Sequence, residues 1–183
     1  MDRDAAIELS RTRAEKETTV RHLISVEGVM RALARRFEED EDLWALTGLF
    51  HDLDQDQTHD DADRHAYLAA EWLREAGVDE RVVNGVLAHA HEQFRTDLMS
   101  KAVVHADAVA GLLVAAALVR PEKAVGMKVS SVKKKLKEKA FAPGVNRDEV
   151  TSVEASIGLA LDEFLAVGIE GLQAVAPEIG LAP

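Results

Sequence analysis

Apolar residues recur along most of this chain at the spacing of helix faces. Between residues 23 and 37, apolar side chains follow one another every three or four positions: Leu23, Val26, Met30, Leu33 and Phe37. This period predicts a helix with one buried face. No segment alternates convincingly between apolar and polar residues at every second position, as a half-buried strand does. The pattern therefore predicts an all-α, compact, single-domain helical fold.

Capping residues and helix breakers place the expected helix boundaries. The first helix is expected from Asp2 to about Glu15, and Thr18 or Thr19 is expected to cap the second. Further helices are predicted over 42–51, 62–75, 79–91, 97–119 and 159–175. A lysine-rich helix is predicted to open at Ser130 or Ser131, and another at Asn146 or Asp148. The polar segment 53–61 is predicted to be a loop.

Composition narrows the class of protein. Apolar residues make up 47% of the 183 residues and aromatic residues only 4%, which favours packed helices over a β-sandwich. The absence of cysteine excludes disulfides and thiolate metal ligands. Met1 to Asp4 does not resemble a signal segment, and the apolar run 108–119 is too short to span a bilayer. A cytoplasmic protein with no membrane partner is expected.

Charge is distributed unevenly along the chain. The formal net charge of -11 argues against general nucleic-acid binding. Residues 120–139 nevertheless carry eight basic side chains against Glu122 and Glu138, which gives this basic tract a net charge of +6. A local basic surface on an acidic protein can hold a small anion.

Polar residues suited to metal binding interrupt several of the apolar faces. His51 and Asp52 close an apolar helix, and four more such residues fall on the apolar faces of other predicted helices: His22, His65, His89 and Asp107. Burying these groups is costly unless a partner satisfies them. Imidazole and carboxylate are common ligands of first-row metals, and a carboxylate can bridge two ions. The six residues together predict a metal centre, although a single inward histidine is more often a hydrogen-bonded core residue.

The other three histidines are weaker candidates. His91 could replace or assist His89, whereas His59 lies in a polar segment and is expected to be solvated. His105 is two residues from Asp107, so the two side chains should point in different directions on one helix.

The order of these residues resembles the signature of the HD-domain superfamily of metal-dependent phosphohydrolases, H…HD…D. Here the pattern is His22, His51-Asp52 and Asp107, while His65 and His89 resemble the extra histidines of binuclear members. The chain also resembles small stand-alone HDIG-type predicted hydrolases of bacteria and archaea. The segments that carry this resemblance are 22–30, 51–54 and a tract that extends from 118–121 to 131–135. The resemblance implies one HD domain over 1–183, with a metal-binding core at about 18–119 and a basic helix and C-terminal helices over 120–183.

The resemblance also implies a mechanism. One ion would be held by His22, His51, Asp52 and Asp107, and a second by Asp52, His65 and His89, so Asp52 would bridge. The ions are expected to be divalent, with iron or manganese first. Asp52 and Asp107 would be catalytic together with a metal-activated water. The expected reaction is hydrolysis of a phosphoester or nucleotide-type phosphoanhydride, in class EC 3.1 or 3.6, on a small phosphorylated substrate.

Two departures from the family pattern weaken any inference about a specific substrate. The segment His51-Asp52-Leu53-Asp54-Gln55 lacks the lysine of HDIGK, and Gln55 stands where related nucleoside monophosphatases carry a glutamate. The ligands alone do not separate a hydrolase from a di-iron HD-type oxygenase. A diadenosine polyphosphate hydrolase is a more specific alternative, and a regulatory module that keeps metal for stability is a third. The oligomeric state is left open.

The basic tract has two interpretations. Lys128, Lys133 and Lys134 could bind substrate phosphate, with Ser130 and Ser131 near a helix N-terminus that favours anions. Alternatively, the lysines cover so much of the helix circumference that they form a solvated face.

Overall fold

The chain folds entirely into helices and connecting turns in the computed structural model, which describes residues 1–183. The helices in chain order are α1 (Arg3–Arg13), α2 (Glu17–Phe37), α3 (Glu41–Phe50), α4 (Gln55–Thr58), α5 (Tyr67–Glu75), α6 (Glu80–Ala90), α7 (Leu98–Leu118), α8 (Val129–Lys137), α9 (Arg147–Thr151), α10 (Val153–Ile157) and α11 (Leu161–Val175). A single 3-10 turn, Glu92–Phe94, lies between α6 and α7. The all-α prediction is confirmed.

The two longest helices, α2 and α7, form the centre of the molecule. α2 packs against α3, α7 and α11, and α7 also packs against α6 and α11. The apolar face predicted for α2 is the buried one, since Leu23, Val26, Met30 and Leu33 are completely enclosed. One continuous core results, and the helices that carry the six candidate ligands all contribute to it.

Glycines allow two of these helix crossings to be unusually close. A Cβ atom on Gly28 of α2 would lie 2.5 Å from the carbonyl oxygen of Gly171 in α11. A Cβ atom on Gly48 of α3 would lie 2.8 Å from the carbonyl oxygen of Val26. Both positions therefore need glycine. The second crossing holds the end of α3, with His51, against the part of α2 that carries His22.

The start of α2 differs from the prediction. Neither Thr18 nor Thr19 caps the helix, which begins at Glu17 after an N-cap residue, Lys16, whose side chain makes no capping bond. The backbone just before the helix is held instead by Asp56, whose Oδ2 accepts hydrogen bonds from the backbone nitrogens of Glu15 (2.8 Å) and Lys16 (3.0 Å). The segment 53–61 is thus not only a loop, because it contains α4 and holds the backbone just before a distant helix.

The helix predicted over 62–75 begins later than expected. Residues 62–66 form turns, and α5 starts at Tyr67 after Ala66, which has φ +66. Asp54 Oδ2 accepts a hydrogen bond from the backbone nitrogen of Ala69 at 3.0 Å, which caps the first turn of α5 from outside. His65 therefore lies in the turn before the helix, not on the helical face with which it was expected to align.

The C-terminal boundaries follow the prediction more loosely. Asn146 caps α9 through hydrogen bonds to the backbone nitrogens of Asp148 and Glu149, but the helix is interrupted at Ser152 and resumes as α10. Gly158, with φ +72, ends α10, and the last helix begins at Leu161 instead of Leu159.

One helix, α7, is long and apolar enough by length and composition alone to cross a membrane, and 67% of its most apolar stretch is buried inside the protein. Its position at the centre of the bundle accounts for this composition, since it is covered by other helices on several sides.

Candidate metal centre

All six predicted ligands meet at one end of the bundle. They come from the interior of α2 (His22), the end of α3 (His51 and Asp52), the turn before α5 (His65), the last turn of α6 (His89) and the middle of α7 (Asp107). Five separate parts of the chain thus converge on a single cluster, here called the His–Asp cluster.

The first half of the cluster is centred on Asp107. Its Oδ1 lies 3.0 Å from His22 Nε2 and 3.7 Å from His51 Nε2. Each of these three residues offers one ligand atom, and the three atoms all lie within 4.8 Å of one another. This spacing is compatible with a shared metal ion.

The second half is centred on Asp52. Its Oδ1 lies 3.3 Å from His65 Nε2 and 3.6 Å from His89 Nε2. His51, Asp52 and His89 form a second group with ligand atoms within 4.8 Å of one another. The other ring nitrogen of His89, Nδ1, is 3.8 Å from Asp107 Oδ2, so His89 lies between the two halves. The division of ligands between two ions stays a prediction.

Several donor atoms of the cluster have no protein partner. His51 Nε2, Asp52 Oδ1 and His89 Nδ1 are buried and make no hydrogen bond, and the only other such side-chain atom in the chain is Arg13 Nε. A buried polar atom without a partner costs roughly 1–3 kcal/mol. Three of these atoms in one cluster, all of types that bind divalent metals, fit a metal site.

Hydrogen bonds from outside the cluster orient two of the histidines. His51 Nδ1 donates to the carbonyl oxygen of Gly48 at 2.7 Å, and this tautomer leaves a lone pair on Nε2 facing Asp107. His65 Nδ1 donates to Asp54 Oδ1 at 3.0 Å and turns Nε2 toward Asp52. Metal-binding histidines in proteins are commonly held in this way.

The carboxylates of the cluster are stabilised in their charged form. Burial alone would raise the pKa of Asp52, but His89, whose Nε2 lies 3.6 Å away, and the charges of His51 and His22 lower that pKa to about 2. Burial likewise opposes ionisation of Asp107, while His22 and His51 bring its pKa well below the usual value. Both carboxylates are therefore in the form that binds metal at neutral pH.

The two oriented histidines show the complementary effect. Burial of His51 favours its neutral form, but Asp107 and Asp52 outweigh burial and raise its pKa. The hydrogen bond to Asp54 is the main reason that the pKa of His65 is raised. Protons on these rings would supply positive charge next to the carboxylates, which is the role that metal ions would take over.

The remaining histidines lie outside the cluster. His91 Nε2 bonds to the carbonyl oxygen of His65 at 2.9 Å, and its ring packs on Tyr67. The structure therefore brings His89, not His91, into the cluster. His105 Nδ1 donates to the carbonyl oxygen of Glu149 at 2.6 Å, as expected for a side chain that points away from Asp107. His59 is exposed, as predicted for a solvated residue, and pairs only with Asp60.

A pocket of about 360 Å³ opens beside the Asp107 half of the cluster, and its lining includes His22, Asp107, Asn146 and Glu149. None of the three predicted substrate-binding lysines lines it. Lys133 and Lys134 border a separate pocket between α8 and α11, where Lys133 Nζ pairs with Asp162 at 2.5 Å. Lys128 precedes α8 and is exposed. The role of these lysines in substrate binding stays a prediction.

Sequence reasoning missed two acidic residues at the site. Asp54 is completely buried and bonds to both His65 and the start of α5. Its position two residues after Asp52 was the available signal. Glu149 lines the pocket from α9, and burial, followed by the charge of Asp107, raises its pKa. No pattern in the sequence connects Glu149 to the six ligands.

The HD domain family matches residues 19–118, more than half of the chain, and this range contains all six residues of the His–Asp cluster. The protein belongs to the HD domain family, and the family places it in the superfamily of metal-dependent phosphohydrolases.

One curated relative is Ribonuclease Y 2 of Levilactobacillus brevis, which is 30% identical over 90 residues. The match covers 49% of this chain but only 17% of that ribonuclease, so the chain spans about a sixth of its relative's length. No solved structure matches the chain.

Proposed function

We propose that this protein hydrolyses a small phosphoester or nucleotide-type phosphoanhydride with the help of two divalent metal ions, iron or manganese. The observation that carries this proposal is the group of buried, unpaired donor atoms on His51, Asp52 and His89. Membership of the HD domain family supports it independently, because the family is one of metal-dependent phosphohydrolases.

The residues that would hold the ions follow from the two halves of the cluster. His22, His51, Asp52 and Asp107 would hold one ion, and Asp52, His65 and His89 would hold the other, so Asp52 would bridge the two. Divalent ions bound there would lower the pKa of a water molecule and neutralise the oxygens of a phosphoryl group. Asp52 and Asp107 contribute by staying ionised, and Asp54 and the Gly48 carbonyl contribute by fixing the rings of His65 and His51.

The pocket beside Asp107 is the proposed entry for the phosphoryl group. Its wall contains Glu149, a half-buried carboxyl with a raised pKa. A carboxyl group whose charged form is disfavoured by burial, in the wall of the pocket, is suited to transfer a proton in general acid–base catalysis.

Metal content tests the site directly. Protein purified without oxygen should contain two ions per chain. Asp52→Ala should lose both ions, because Asp52 would be a ligand of each, whereas His65→Ala should lose mainly one. His59→Ala serves as the control, since His59 is exposed and outside the cluster. Full metal content in Asp52→Ala, measured by elemental analysis, would contradict the proposed bridge.

Turnover tests the reaction. With manganese or iron added, the protein should release phosphate or a nucleotide from a member of a phosphoester and nucleotide panel, and should do so equally well without oxygen. Product formation that strictly consumes oxygen would instead identify the di-iron oxygenase alternative. Metal-loaded protein without turnover on any phosphate compound would favour a regulatory module.

A further inference from the structure

A second pocket, of about 310 Å³, adjoins the pocket beside the His–Asp cluster. His22 and Gly111 line both pockets, so the two lie side by side over α2 and α7, and together they are here called the groove. Gly111 has no side chain to close the passage, and a Cβ atom there would reach only to 3.4 Å from Val145 Cγ2.

The two ends of this groove differ in chemistry. The end at the cluster presents His22, Asp107 and Glu149. The far end, here called the apolar pocket, is walled mainly by α7 and by the C-terminal segment: Val114, Ala115, Leu118, Ile179 and Leu181. Its volume is within the range of roughly 300–1,000 Å³ that is typical of small-molecule sites.

The rim of the apolar pocket adds two further features. Leu118 is 66% exposed, although it is large and apolar. Arg21 lies on the opposite wall from α2, and its Nε pairs with Glu17 Oε1 at 3.2 Å. A guanidinium held beside an apolar wall can stack on a flat ring. An aromatic group between Arg21 and Leu118 would cover the exposed leucine and contact both walls.

We propose that the apolar pocket binds the aromatic leaving group of a phosphoester whose phosphoryl group lies at the His–Asp cluster. This proposal rests on the proposed function and adds the class of substrate. In the reaction, the oxygen of water bonds to phosphorus, the bond between phosphorus and the leaving-group oxygen breaks, and a proton from the water passes to that oxygen. The shared residues His22 and Gly111 mark the point where the ester bond would lie.

Substitutions on the pocket wall test the assignment with two substrates, 1-naphthyl phosphate and methyl phosphate. Leu118→Asp places a charge in the pocket and Ala115→Phe fills it. Both should raise KM for 1-naphthyl phosphate about tenfold or more, the effect expected from losing the burial of a ring. KM for methyl phosphate should stay unchanged, because that leaving group does not reach the pocket.

Val119→Asp is the matched control. Val119 is 63% exposed, follows Leu118 directly and does not line the pocket, so its substitution should change neither KM. Equal effects of Leu118→Asp on both substrates, or none on either, would overturn the proposal. A change from dimer to monomer in Leu118→Asp, with both KM values unaltered, would overturn it in favour of an interface between two copies of the chain.

The two levels of the proposal fail differently. If the wild-type protein with manganese or iron hydrolyses neither compound nor any other phosphoester, the proposed function fails. If it hydrolyses both compounds and the wall variants do not discriminate between them, only the apolar pocket fails. Calorimetric titration of 1-naphthyl phosphate into the metal-loaded protein gives a second readout, in which binding should weaken about tenfold in Leu118→Asp and not in Val119→Asp.

Discussion

Asp54 and the carbonyl of Gly48 act on the cluster through the histidines that they orient. Each accepts a hydrogen bond from the Nδ1 atom of a cluster histidine, at 3.0 Å for His65 and 2.7 Å for His51. A free imidazole can rotate and exchange tautomers, whereas these two rings are fixed with Nε2 toward a carboxylate. The geometry of the cluster therefore depends on residues that would not touch an ion.

Removal of Asp54 tests this dependence. Asp54→Ala leaves His65 without its main partner and should lower the affinity for one ion about 10–100-fold, with the other retained. Asp54→Asn keeps one oxygen acceptor and should show a smaller loss. The measurement is a manganese titration of chelator-treated protein. Asp63→Ala, an exposed residue in the neighbouring turn, should bind like the wild type. Wild-type affinity for two ions in Asp54→Ala would refute the orienting role.

The six cluster residues were predicted because each interrupts the apolar face of an expected helix, which is a local property of the sequence, although the helix expected around His65 begins only at Tyr67. The choice between His89 and His91 could not, because it depends on where α6 ends. The helix was predicted to run through His91 but stops at Ala90, and His91 has an extended backbone that turns its ring toward Tyr67. Asp54 and Glu149 were missed because their partners are brought close only by the tertiary fold.

At the scale of elements, one feature of α2 is determined by nearby residues and another by a distant part of the chain. Its buried face was predicted from the spacing of apolar residues and is confirmed. Its start was not, since the two residues just before it, Glu15 and Lys16, donate their backbone N–H groups to Asp56, about forty residues later in the chain. The brief helices α4, α9 and α10 have too few residues to produce a recognisable period, and such segments depend on tertiary contacts.

The hydrogen bonds that Asp56 accepts at the start of α2 predict a pH-dependent contribution to stability. Burial alone would raise the pKa of Asp56, but hydrogen bonds from Lys16, Thr19 and Glu15 lower it below its usual value. A lowered folded-state pKa means that the stabilisation is present above the unfolded-state pKa of about 3.9 and is lost as the pH falls through the folded-state value. Asp56→Ala should therefore lower the free energy of unfolding by about 1–3 kcal/mol at neutral pH.

Urea denaturation at several pH values measures this contribution. The difference between the wild type and Asp56→Ala should be largest near neutral pH and should shrink once the pH falls below about 4. Asp60→Ala is a suitable control, because the Asp60 side chain is 89% exposed and contacts only His59. A difference that does not change between neutral and acidic pH would contradict the proposed role of the charge.

At the scale of the whole molecule, lysines of the basic tract line a different pocket from the one at the cluster. The chain carries a net charge of -11, whereas residues 120–139 carry +6. The sequence predicts that Lys128 and Lys133 hold substrate phosphate as point charges. On that proposal, Lys128→Ala and Lys133→Ala should each raise KM several-fold, equivalent to about 1–2 kcal/mol, without changing metal content.

Steady-state kinetics with a hydrolysed phosphoester measures these effects, and Lys139→Ala is the control because Lys139 is exposed and lies beyond α8. Lys133 pairs with Asp162 in a pocket separate from the cluster, which favours the other interpretation, that the lysines form a solvated face. If neither Lys128→Ala nor Lys133→Ala alters KM, the tract is a solvated face of α8.

Metal ions and protons should stabilise the folded protein in opposite ranges of pH. Without metal, the pKa values of His51 and His65 are raised by their carboxylate partners, although burial of both rings opposes the rise. A raised folded-state pKa gives stability that is fully present below the unfolded-state pKa of about 6.5 and is lost as the pH rises through the folded-state value. The chelated protein should therefore lose stability from this source as the pH rises above about 6.5.

Bound metal reverses this trend, because metal binds the unprotonated imidazole and competes with protons for it. Its stabilising effect grows with the ratio of free metal to the dissociation constant, so it should increase as the pH rises. The difference in Tm between manganese-loaded and EDTA-treated protein should thus be small near pH 6 and larger near pH 8. Asp52→Ala, which lacks the proposed bridge, should show little EDTA-dependent shift at either pH. A shift of equal size at both pH values in the wild type would mean that the histidines of the cluster do not exchange protons for metal.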